Sequence, residues 1–115
     1  MQFIEYPKCS TCKTAKKFLQ NNNINFIDRN IITETPTKDE LKYWHIKYNI
    51  PIKRLFNTSG LKYKNLNLKE KLNTMSEEEQ FSLLASDGML IKRPLLIGDD
   101  FMYIGFKIEE WKNLS

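Results

Sequence analysis

A chain of 115 residues with 41% hydrophobic side chains fits one domain of ordinary size. Its 18 basic and 14 acidic side chains leave a net charge of +4. That mild field is spread over several segments rather than gathered on one face as in a dedicated nucleic-acid binder, so direct nucleic-acid contact is not expected. Two cysteines and one histidine fall short of the roughly four N or S ligands of a closed zinc site, and no apolar run of about 18 residues is present to span a bilayer.

Taken in chain order, residues 2–6 are short, aromatic and β-prone, and Pro7 ends them, which predicts a buried first strand. Over 12–22, Ala15, Phe18 and Leu19 recur at helical spacing while Lys13, Lys16 and Lys17 face elsewhere, as in an amphipathic helix laid on a sheet. The run Asn21-Asn22-Asn23 stops it. Residues 25–32, with Phe26, Ile27, Ile31 and Ile32, make a second strand and complete a parallel strand-helix-strand unit. Thr37 with Glu40 forms a capping box that opens a helix to about Tyr48, with Leu41, Trp44, Ile46 and Tyr48 as its apolar residues.

Pro51 punctuates that helix. A short helical turn is expected over 52–56, a loop over 57–60 and a short helix over 63–72, whose lysines around Tyr63 read as a solvated face. Ser76 with Glu79 is a second capping box, starting a helix that buries Phe81 and Leu83 or Leu84 and ends near Asp87-Gly88. Residues 95–97 and 101–104 form a hairpin around Gly98-Asp99-Asp100, and a helix over 107–114 carries Ile108, Trp111 and Leu114. Trp44 and Trp111 belong in the core or at its edge, and His45 reads as a packing or surface residue rather than a general base.

Cys9-Ser10-Thr11-Cys12 is the stretch with chemistry in it. Two thiols stand one helical turn apart, after a strand and at the opening of a helix, where peptide dipoles and unpaired N–H groups favour a thiolate. Lowering a free cysteine's value of about 8.5 by two pH units takes about 2.7 kcal/mol and leaves the sulfur mostly ionised at neutral pH. A structural disulfide between such near positions closes a tiny loop and gains little from chain entropy. The start of the chain has no basic region followed by a long apolar one, so a cytosolic protein is expected. Reducing conditions there suit a catalytic or redox-sensing pair better than a permanent staple.

Several segments together resemble one family. They are Tyr6-Pro7-Lys8-Cys9-Ser10-Thr11-Cys12-Lys13-Thr14-Ala15, the run from Glu34 to Leu41, Phe56-Asn57-Thr58-Ser59-Gly60, Leu66-Asn67-Leu68, Leu90-Ile91-Lys92-Arg93-Pro94-Leu95 and Ile104-Gly105-Phe106. In them the chain is similar, over nearly its whole length, to the arsenate-reductase-like ArsC family of the thioredoxin superfamily, and most of all to its Spx/MgsR-like subgroup. The resemblance implies an α/β fold: a thioredoxin-like mixed sheet in a single domain, 1–115, with a helical insertion at about 37–86.

It also implies Cys9 as nucleophile, Cys12 as resolving thiol, an anion cradle of Ser10, Thr11, Lys13 and Arg93, and a cis Arg93–Pro94 bond opposite the reactive sulfur. No bound cofactor or metal is implied. The thiol donor is glutathione, a glutaredoxin or thioredoxin, and the protein is expected to work as a monomer away from membranes. The glutathione-coupled reductases carry Ser at the Cys12 position and Arg at the Lys13 position. Their two further anion-binding arginines, one near Ser59 and one beyond the last strand, have no counterpart in this chain, which removes charge-assisted bonds worth about 1.5–3 kcal/mol each. The Spx-like members imply an alternative, a redox-sensing regulator that binds the C-terminal domain of the RNA polymerase α subunit. Ser59 stands where those regulators carry Arg.

Overall fold

The computed structural model describes residues 1–114, which divide into two compact units: 1–31 with 93–114, and 32–92. The first unit is built on a four-stranded sheet in the order β2-β1-β3-β4, from β1 (Gln2–Glu5), β2 (Ile27–Asn30), β3 (Leu95–Ile97) and β4 (Met102–Ile104). β1 pairs in parallel with β2 and antiparallel with β3, and β3 pairs antiparallel with β4. As an inner strand β1 buries both faces, with Phe3 and Ile4 each 0% exposed. β2 is the edge strand, shorter than the expected 25–32, and Ile27 stands out to solvent.

Helix α1 (Ser10–Asn21) carries Ala15 and Leu19 onto Phe3, Leu96 and Trp111, the centre of this unit's core. The Asn run ends it as expected: Asn22 closes the last turn onto Phe18 O, and Asn23 takes the left-handed φ of 55° that Asn tolerates better than most side chains. In the hairpin, the Gly98 N–H donates to Phe101 O at 3.0 Å, so Phe101 belongs to the turn and β4 begins at Met102. The last helix is only one turn, α7 (Ile108–Trp111), before a 3₁₀ turn at Lys112–Leu114. Trp111 is fully buried, whereas Ile108 is exposed.

The second unit is helical: α2 (Lys38–Lys47), α3 (Ile52–Leu55), α4 (Leu61–Asn65), α5 (Leu68–Lys71) and α6 (Glu77–Ser86). Both capping boxes form, Thr37 with Glu40 and Ser76 with Glu79. Leu41, Trp44, Phe81 and Leu84 turn inward, but Ile46 is 76% exposed, on the side of α2 away from Leu41 and Trp44. The helix expected over 63–72 is two helices, because Asn67 adopts a left-handed φ of 54° that no α-helix continues through. His45 is half-buried against Phe81, with Nδ1 on the Ile50 carbonyl. Among the described residues no helix is long and apolar enough to cross a membrane.

One buried acid stands out in the first unit. Glu5, 4% exposed, lies under α1 with Lys16 Nζ at 3.3 Å, and the same ammonium reaches Asp28 on β2 at 2.6 Å. Burial pushes the Glu5 carboxyl up to about 7, helped by a hydrogen bond to Asp28 and its charge and opposed by Lys16. A carboxyl that holds its proton more tightly folded than unfolded stabilises the fold fully below about pH 4.5, and that contribution is lost as pH rises through about 7. Stability measured by urea denaturation therefore falls between pH 5 and pH 8 by on the order of 2 kcal/mol, and Glu5→Gln flattens that slope.

Candidate active site

Both cysteines lie in the first unit, where β1 hands over to α1. Pro7 follows the strand, the Cys9 N–H closes a turn onto Tyr6 O at 2.9 Å, and the helix opens at Ser10. Helix formation begins two residues before the expected start at Cys12, so Cys9 itself is the N-cap. Its φ of −86° and ψ of 123° are extended, and its sulfur accepts from the Cys12 N–H at 3.5 Å, in the place where Ser or Asp ordinarily caps. A sulfur there is bonded to one of the helix's orphan donors and faces the positive end of its dipole.

No disulfide joins the two cysteines in this structure, and their surroundings differ sharply. Cys9 is half-buried. Burial raises its thiol, but the Cys12 amide, the Cys12 side chain, the Thr11 amide and the Arg93 side chain outweigh that together and hold it below the value of a free cysteine. Cys12 is 0% exposed, and its thiol is pushed up to about 12, first by burial and then by the hydrogen bond to Cys9 and its charge, against a hydrogen bond from the Tyr6 N–H and the charge of Arg93. The site thus holds a sulfur that ionises more readily than a free cysteine beside one that stays a thiol at neutral pH.

Arg93, just ahead of β3, enters the same site. Its guanidinium stacks on the Tyr6 ring at 5.1 Å and acts on both sulfurs, and its Nε and Nη1 are buried with no hydrogen-bond partner among the described residues. The Arg93–Pro94 bond is cis, and the Pro94 carbonyl accepts the N–H of Gly105, which sits at φ 77°. Of the other residues expected around an anion, Ser10, Thr11 and Lys13 are exposed on the first turn of α1. The Ser10 carbonyl takes the Thr14 hydroxyl at 3.1 Å, and the Lys13 N–H bonds the Cys9 carbonyl at 3.1 Å. Ser59 belongs to the other unit, where its hydroxyl donates to Asn57 Oδ1 at 3.3 Å.

Two contributors escape a reading of local sequence. Tyr6 orients Arg93 from far along the chain, and no spacing rule reports such a stack. Glu5 shares a sheet face with the core residue Phe3, two positions before it, and that alternation is the one signal of a buried acid.

An open mixed sheet with a cysteine pair at the end of its first strand and a cis proline at the start of the third defines a thioredoxin-like chain. It belongs to the ArsC family, whose model matches residues 4–114. YusI of Bacillus subtilis, an uncharacterized protein, is 48% identical over 112 residues, covering 97% of this chain and 95% of that one. The regulatory protein MgsR of the same organism is 33% identical over 115 residues, covering 100% and 90%. An ArsC family related protein from Bacteroides fragilis superposes with a TM-score of 0.93 at 51% identity, covering 99% of this chain and 96% of that one. A possible arsenate reductase from Streptococcus mutans gives 0.87 at 40%, covering 96% of each.

Proposed function

We propose that this chain is a cytosolic thiol–disulfide redox protein, working as a monomer, in which Cys9 is the nucleophile and Cys12 the resolving thiol. The observation that carries this reading is the Cys9 sulfur at the N-cap of α1, accepting the Cys12 N–H at 3.5 Å, with the Cys12 thiol buried one turn further on. The Cys9 thiolate attacks one sulfur of a substrate disulfide, forming a mixed disulfide and expelling the first thiolate. Cys12 then loses its proton and attacks the Cys9 sulfur, so the Cys9–Cys12 bond forms, the mixed bond breaks and the second thiolate leaves. An external thiol such as glutathione, a glutaredoxin or thioredoxin reduces the pair again by two further exchanges.

The unpartnered Arg93 nitrogens and the exposed first turn of α1, with Ser10, Thr11 and Lys13, also favour an oxyanion at the sulfur, with arsenate as the family's example. Steady-state arsenate reduction with glutathione and glutaredoxin, compared with Cys9→Ser, tests that branch. Turnover that does not depend on Cys9 removes it. The ionisation itself is checked by thiolate ultraviolet absorbance against pH: the Cys9 midpoint lies below that of free cysteine, and Arg93→Leu raises it. A midpoint at or above the free value contradicts the reading.

A second reading is a redox-sensing regulator that binds the C-terminal domain of the RNA polymerase α subunit. The likeness to MgsR along the whole chain favours it. Capture of that domain by the oxidised or the reduced protein supports the regulator, and capture by neither removes it.

A further inference from the structure

The ladder between β1 and β3 pairs Gln2 with Ile97, Phe3 with Leu96 and Ile4 with Leu95. Continued two residues further, the same register sets Tyr6 opposite Arg93, at the end of the sheet where the cysteines stand. The two side chains meet there. The guanidinium carbon lies 5.1 Å from the centre of the Tyr6 ring, inside the span of about 6 Å over which an aromatic face attracts a cation. Tyr6 is also tied to both cysteines through its backbone: its carbonyl accepts the Cys9 N–H at 2.9 Å, and its N–H donates to the Cys12 sulfur.

What holds a guanidinium decides what it can do. An arginine side chain left free spreads over many rotamers, and its charge is spread with it. A carboxylate would fix the group, but it would also take up the planar fork of N–H donors and cancel the charge. Among the described residues no carboxylate pairs with Arg93. An aromatic ring holds the guanidinium by its face and uses none of the donors in its plane. The Arg93 Nε and Nη1 groups are accordingly unspent, although both atoms are buried.

Resting on the exchange reading above, we propose that Tyr6 is a positioning residue: its ring holds the Arg93 guanidinium beside the Cys9 sulfur with the N–H edge open. The stack thereby sets how readily that sulfur ionises and how strongly it prefers anionic reactants to neutral ones. The face of the ring does the holding, and the hydroxyl has no part in it.

The test uses the full chain and titrates the Cys9 thiolate by its ultraviolet absorbance. Tyr6→Leu raises the midpoint by about half a pH unit, one cation–π contact expressed as ionisation. Tyr6→Met, which keeps the bulk without a π face, does the same, whereas Tyr6→Phe keeps the ring and leaves the midpoint where it is. In an Arg93→Leu background Tyr6→Leu adds nothing, because the ring acts only through the guanidinium. A second readout compares the alkylation of Cys9 by iodoacetate, an anion, and by iodoacetamide, its neutral analogue, with Cys12 shielded from both by burial. The ratio of the two rates cancels the thiolate fraction, and it falls about twofold in Tyr6→Leu and Tyr6→Met. A midpoint or a ratio that does not move in these variants overturns the proposal, as does a shift that Tyr6→Phe shares or that persists in the Arg93→Leu background. A midpoint at or above that of free cysteine in the unmodified protein instead counts against Cys9 as the activated nucleophile. The differences between variants are still read in that case, so the two failures are told apart.

Discussion

Cys9→Ser lowers the rate at which the protein opens a disulfide probe by about a hundredfold or more, although Cys12 is still present. Burial, the first cause of the raised Cys12 thiol, persists when the hydrogen bond and charge of Cys9 are gone, so only a small fraction of the remaining thiol is ionised at pH 7. The greater intrinsic nucleophilicity of a more basic thiolate returns part of that loss. Burial of Cys12 at 0% exposure then denies the probe an approach, which pushes the rate further down. Cys12→Ser has the opposite signature: the first thiolate equivalent is released, the second is not, and mass spectrometry finds the probe retained on Cys9. Rapid probe opening in Cys9→Ser would reverse the assignment of the two sulfurs.

The place of the cysteine pair, at the junction of the first strand and the first helix, was legible in the sequence because it is local. Cys9 and Cys12 lie within one turn, and the field they share comes from the backbone of the helix that follows. The capping boxes at Thr37 and Ser76 were legible for the same reason, since both partners of each box lie three residues apart. The expected helix over 63–72 failed at a single backbone angle: Asn67 is left-handed, and residue type and spacing do not report φ. The chemistry of Ile46 predicts buried surface, but α2 turns its Leu41 and Trp44 side inward and leaves Ile46 outside. Arg93 entered through family resemblance alone, because its stack on Tyr6 joins residues far apart in the chain. Physical placement of the site thus depends on a tertiary contact that no window of sequence contains.

Trp111→Ala is expected to cost about 3–5 kcal/mol, a large part of the 5–15 kcal/mol that holds an ordinary domain together. Trp111 is fully buried, and its ring meets Phe106 at 4.9 Å, Phe18 at 6.2 Å, Tyr103 at 6.3 Å and Phe3 at 6.4 Å. Deletion leaves a cavity bordered by α1, β1 and β4 at once, which these elements close only by moving together. α7 has a single turn and no side-chain cap, so the indole is its main attachment. Trp111→Phe costs less than its lost volume suggests: the buried indole N–H has no partner among the described residues, and removing it relieves a desolvation penalty of about 1–3 kcal/mol. Urea denaturation monitored by circular dichroism measures both. The consequence reaches the cysteines through Phe18, which lies on the same helix as Cys9. As urea loosens α1 in Trp111→Ala, the ionisation of Cys9 returns toward that of a free cysteine in step with the helical signal, at a lower urea midpoint than in the unmodified protein. Equal midpoints for the two proteins would mean that the aromatic cluster does not hold the helix on which the thiolate depends.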